Sequence, residues 1–111
     1  MKAAYLVVLA LGLSIAPSAH SQEIGDPARG LSYAEKNCTE CHAVHAEDDI
    51  SRNYGAPTFL AVANTPGMTE RALGVWFQSS HPTMPQLVIP REDLDNVIAY
   101  IMSLKGKRPA E

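Results

Sequence analysis

The chain is poor in several things at once. It has only two cysteines, one tryptophan and two phenylalanines in 111 residues. No stretch alternates apolar and polar side chains as a half-buried strand would, and no βαβ pattern surrounds the cysteines. No internal repeat and no low-complexity tract is present, so the sequence describes neither a solenoid nor a disordered tail. Positive charge is scarce too: nine Lys and Arg stand against twelve Asp and Glu, a net of −3. That balance speaks against nucleic acid as a partner. The one long apolar run, near the N-terminus, is short for a membrane span and is interrupted by Gly12, Ser14 and Pro17.

The two cysteines that exist are placed with purpose. They form Cys38-Thr39-Glu40-Cys41-His42, two thiols three residues apart with a histidine directly after the second, which is the attachment signature of c-type haem. The vinyl groups of haem lie on neighbouring pyrrole rings, so one turn of chain with a thiol at each end can form both thioethers. The next side chain then reaches the iron, and His42 becomes the proximal ligand through a neutral imidazole nitrogen. Three plainer readings stand beside this one. They are a redox dithiol, a zinc site drawn from Cys38, Cys41, His42 and His45, and a simple disulfide outside the cytoplasm.

The N-terminus reads as a targeting segment. A basic start at Lys2, an apolar stretch from Ala3 to Ala16 and small residues at Ala19 and Ser21 describe a secretory signal peptide over residues 1–21, cleaved after Ser21. Cleavage leaves residues 22–111, a single domain of 90 of the 111 residues, with no membrane anchor. With Lys2 gone, eight of the nine basic residues face twelve acidic ones, a net of −4. A core that small is marginal alone, and a buried macrocycle would complete it. The dense charge run Glu47-Asp48-Asp49 reads as a solvated loop, and Lys105, Lys107 and Arg108 read as residues that follow a helix end.

Periodicity and caps predict an all-α chain of about three main helices. Asp26 caps the first, Pro27 sits at its first position, and Leu31, Ala34 and Cys38 share a face. Thr69 caps the second, which turns Leu73, Trp76 and Phe77 inward and ends between Ser79 and Pro82. The third runs from about Pro90 to Leu104, with Glu92, Asp93 and Asp95 at its positive end and an apolar stripe of Leu94, Val97, Ile98, Ile101 and Leu104; Lys105-Gly106 stops it.

With that order of parts, the chain resembles the small monohaem class I cytochromes c of the bacterial periplasm. The match is carried by Gly30 with Cys38-x-x-Cys41-His42, by Gly55-Ala56-Pro57, by Met84-Pro85, and by Leu94-x-x-Val97-Ile98-Ala99-Tyr100. The resemblance implies a close crossing of the first and last helices, with Gly30 at the contact and Tyr100 beside it. Four residues before Cys38, where the family often has an aromatic, this chain has Ala34, with Tyr33 adjacent.

Five side chains compete for the second axial position: Met68, Met84, Met102, His45 and His81. Met84 is preferred, because Pro82 and Pro85 restrict its loop and hold a soft thioether with little ordering cost, and because it matches the family's methionine loop. His81 is its nearest rival, and bis-histidine ligation would lower the reduction potential. The resemblance also implies that the Pro57 carbonyl orients the His42 ring, and the pocket wall is assigned to Trp76 and Phe77. The expected activity is that of a soluble periplasmic one-electron carrier, Fe(II)/Fe(III), with no substrate of its own. The alternative is a haem enzyme or gas sensor with a labile distal ligand. Expected partners are redox proteins: a periplasmic dehydrogenase, such as a molybdenum sulfite dehydrogenase or a quinoprotein alcohol dehydrogenase, and a terminal oxidase or other carrier. The protein itself is expected to be a monomer or to form transient complexes. Electron exit is expected through a small uncharged patch formed by Cys41, Ala43 and Val44 on one side and Gln86 and Leu87 on the other.

Overall fold

A computed structural model describes residues 24–79, 83–84 and 88–109. Among these residues all regular structure is helical: α1 Pro27–Asn37, α2 Phe59–Ala63, α3 Glu70–Gln78 and α4 Arg91–Ser103. The proposed signal peptide lies outside the described residues.

Each main helix starts where its capping chemistry allows. The Asp26 carboxylate accepts the N–H groups of Ala28 at 2.9 Å and Arg29 at 3.4 Å, and Pro27 occupies the first helical position, where its missing N–H costs nothing. Thr69 Oγ1 accepts Ala72 N–H at 3.1 Å to start α3. Helix α4 starts at Pro90 with no side-chain cap, but Glu92 and Asp93 sit in its first turn, where negative charge meets the helix dipole favourably.

The main helix pair is α1 against α4. The two backbones approach so closely at Gly30 that a Cβ there would overlap the carbonyl of Asn96 and lie 2.7 Å from Cβ of Tyr100. Gly25 adds a second close approach: its φ of +116° suits glycine, and a side chain would run into the Asp95 carbonyl. Between these glycines the buried Asn96 accepts Asp26 N–H through Oδ1 at 2.7 Å. Ala34 is fully buried and Tyr33 packs from the core's margin, so the small residue at position 34 is accommodated within the crossing.

Helix α4 differs from the stripe expected of it. From Asn96 to Ile101 every residue is buried, because α1 covers one side and α2 and α3 cover others. The α2 helix was not expected. Its five residues are too few for a periodic signal, and it forms because Thr58 Oγ1 accepts Ala61 N–H at 3.0 Å while Phe59, Leu60 and Ala63 bury themselves. Past α4, Gly106 turns with φ +81° and donates its N–H to Asn64 Oδ1 at 2.8 Å, and Lys105 Nζ donates to the Met68 carbonyl at 2.7 Å. The C-terminal turn is thereby tied to the connection between α2 and α3.

Candidate haem site

Cys38 is the C-cap of α1 and is buried, whereas Cys41 is half-buried one turn later. The carbonyl of Cys38 accepts the N–H groups of Cys41 at 3.2 Å and His42 at 2.9 Å, so the motif is one tight turn continuing the helix. Burial pushes the Cys38 thiol up to about 11 from its ordinary value of 9.0. That position therefore favours uncharged sulfur, which a thioether is.

The His42 ring is held by its surroundings. Its Nδ1 lies 2.6 Å from the carbonyl of Pro57, so the neutral tautomer donates Nδ1–H and leaves Nε2 with its lone pair. Phe59 packs against the ring at 5.4 Å between centroids and 51° between planes. Phe59 in turn faces Tyr100, whose hydroxyl donates to the Val44 carbonyl at 2.5 Å. The backbone beyond His42 is thus anchored to α4.

His42 opens onto a cavity of about 260 Å³ whose walls include Cys38, Pro57, Phe59, Leu73, Trp76 and Met84. Ligand sites of this kind are concave and mostly apolar with few polar groups, which is what a flat hydrocarbon macrocycle requires. The residues present therefore fit haem: Cys38 and the His42 imidazole on the wall, Cys41 one turn beyond Cys38, and apolar side chains around.

Among the residues named from sequence, Cys38, His42, Pro57, Trp76 and Met84 share this cavity. So do Met68 and Phe77, while Met102 packs at the margin of the core. His45 pairs instead with Glu35, Nε2 to Oε1 at 3.4 Å. His81, Pro82 and Pro85 lie outside the described residues. Trp76 is 40% exposed and lines the cavity, while Leu73 is buried and Phe77 packs against the core. The exit patch also needs correction: Ala43 and Val44 are 7% and 1% exposed, folded under the loop that follows, and cannot flank an open edge. Gln86 and Leu87 lie outside the described residues. No three of His, Cys, Asp and Glu converge to hold a metal ion among the described residues, so a zinc site gains no support.

Residues 27–105 match the family described as cytochrome c. The chain belongs to the cytochrome c family. It is similar to cytochrome c-552 of Bradyrhizobium diazoefficiens, 30% identical over 97 residues that cover 87% of this chain and 92% of that one. No solved structure gives a significant match. As a class I cytochrome c it carries haem c, bound covalently through Cys38 and Cys41, and it acts as an electron carrier. Two residues around this site went unremarked in the sequence. Phe59 carries no local signal beyond being aromatic, and Ser51 is a lone hydroxyl in a polar stretch whose partner, the Ala43 N–H at 3.0 Å, appears only on folding.

Proposed function

We propose that this cytochrome c is a periplasmic one-electron carrier in which His42 and Met84 hold the iron. Its donor would be a periplasmic dehydrogenase of the sulfite dehydrogenase or quinoprotein type, and its acceptor a terminal oxidase or another carrier. One observation carries the reading: His42 and Met84 line the same apolar cavity as Cys38. When bound, haem c supplies one-electron exchange between Fe(II) and Fe(III).

The chain's own residues do the rest. Cys38 and Cys41 tie the cofactor to α1, and His42 offers Nε2 because Nδ1–H is donated to Pro57. Met84 offers a soft thioether, which raises the potential relative to a second imidazole. Phe59, Leu73 and Ile101 exclude water, and Trp76 closes one side of the cavity. With His42 and Met84 both holding the iron, the chain would leave no place on it for a substrate, and haem c would supply electron exchange at a potential set by the protein. Residues 1–21 would serve export and be removed; no helix among the described residues is long and apolar enough to cross a membrane.

Replacement of the two rival ligands tests this. Met84→Ala should abolish the weak sulfur-to-ferric-iron absorption, lower the reduction potential and admit carbon monoxide, while His81→Ala should leave all three unchanged. The reverse pattern would establish bis-histidine ligation.

A further inference from the structure

Residues 51–59 grip the chain around His42 at four points. Ser51 Oγ accepts Ala43 N–H at 3.0 Å in buried surroundings, and Asn53 N–H donates to the Cys41 carbonyl at 3.1 Å. Phe59 N–H donates to the Ala43 carbonyl at 2.9 Å, and the Pro57 carbonyl accepts His42 Nδ1–H at 2.6 Å. Within this segment Asn53 closes the turn that aims Pro57: its Oδ1 accepts Gly55 N–H and its carbonyl accepts Ala56 N–H, both at 2.9 Å.

Ser51 is the unusual member. It is 7% exposed, and with Asn96 it makes up the buried polar residues among those described. A buried hydroxyl costs free energy unless it is bonded, and the bond it makes is to the peptide immediately after the histidine. Asn53 holds the peptide unit on the other side. The backbone of His42 is therefore fixed relative to the same segment that carries the acceptor for its ring, and ring and acceptor cannot drift apart independently.

We propose that Ser51, assisted by Asn53, is a positioning residue for the His42 ring: by seating the 51–59 segment on the Cys41–Ala43 backbone, it sets the length and direction of the Nδ1–H to Pro57 hydrogen bond. This rests on the reading of His42 as the iron ligand. The strength of that bond sets how much electron density the imidazole donates, and stronger donation favours Fe(III). Without the Ser51 hydroxyl the segment loosens, the bond weakens, and the potential rises.

The test compares Ser51→Thr with Ser51→Val in the holoprotein, because the two side chains have the same shape and differ only in the hydroxyl. Three readouts apply: exchange of the His42 Nδ1 proton, followed with ¹⁵N-histidine labelling; the reduction potential; and the order of the haem methyl resonances in the ferric state. Ser51→Val should speed exchange about tenfold, as loss of one hydrogen bond of ordinary strength does. It should also raise the potential and alter the methyl pattern, whereas Ser51→Thr should match the parent in all three. Asn53→Ala, which keeps the main-chain bond to Cys41 and removes the Oδ1 acceptor of Gly55 N–H in the turn that aims Pro57, should shift exchange and potential in the same direction and serves if changes at Ser51 prevent folding. Thr and Val variants that behave alike, or a Val or Asn53→Ala variant that melts lower while keeping the parent potential and methyl pattern, would overturn the positioning role and leave the ligand intact. Absence of iron-bound signals from labelled His42 in the parent protein would instead overturn the ligand reading itself.

Discussion

The crossing of α1 and α4 and the turn-rich segment between Cys38 and Phe59 both hold the haem motif in place, by opposite means. At the crossing, two helices touch through bare backbone: Gly30 faces the Asn96 carbonyl with no room for a Cβ. Around His42, hydrogen bonds made with Ser51, Asn53, Pro57 and Tyr100 fix the chain. The first kind of contact is broken by added volume, the second by a lost donor or acceptor. Substitutions should therefore hurt each region in its own currency of damage.

The largest effect is expected from Gly30→Ala. The new methyl must separate two helices, an overpacking penalty of about 3 kcal/mol or more, read as a lowered melting temperature of the holoprotein. Gly74 in α3 is the control: the nearest atom to a Cβ there is Ile98 Cδ1 at 3.8 Å, an ordinary contact. Gly74→Ala should stabilise by about 0.5–1 kcal/mol through helix propensity. Equal melting of the two variants would erase the distinction drawn here.

Tyr100→Phe should cost about 1–2 kcal/mol, because it leaves the buried Val44 carbonyl without its donor. This change also has a pH signature. Burial first, and then the negative charges of Glu47, Glu35 and Asp48, raise the Tyr100 hydroxyl above its ordinary 10.0. A raised acid favours the folded state while it stays protonated, so its contribution is complete below pH 10 and is lost as pH rises through the elevated value. Denaturant titrations above pH 10 should show the parent losing its advantage over Tyr100→Phe; a constant gap would remove the tyrosine from the alkaline transition.

Asn96→Ala removes the acceptor of Asp26 N–H and should cost about 1 kcal/mol by the same measurement. Arg29→Ala sits at the bottom of the scale. Its contact with Glu92 Oε1 at 3.1 Å joins side chains 68% and 78% exposed, and exposed pairs contribute less than about 1 kcal/mol, fading with salt. A loss at Arg29 larger than that at Asn96 would invert the ranking of buried over exposed contacts.

The same contrast explains what could be read before folding. Helices α1, α3 and α4 announce themselves through Asp26, Thr69 and the acidic start of α4, because caps are local and apolar spacing persists over two turns or more. Helix α2 has neither length nor period, and its cap residue Thr58 is one threonine among several. In the site, Cys38, Cys41 and His42 are legible because covalent chemistry dictates their spacing. Pro57 came through family resemblance, and its carbonyl lies 2.6 Å from the ring it was matched to. Ser51 was invisible because its value comes from a peptide N–H eight residues earlier, brought to it only by the loop. Ala43 and Val44 were misplaced for the same reason: the loop that covers them has no sequence mark of its own.

The ties from Lys105 to Met68 and from Gly106 to Asn64 make closure of the fold depend on its last turn. Cys38 and His42 come early in the chain and α4, Lys105 and Gly106 come late, so the wall behind the attachment turn and the strap beneath the α2–α3 connection are completed only by the last residues of the fold. The last turn acts as a latch that can be set only after everything before it has been delivered, and a chain interrupted before Lys105 would keep its attachment motif while losing the means to shut the compartment around it.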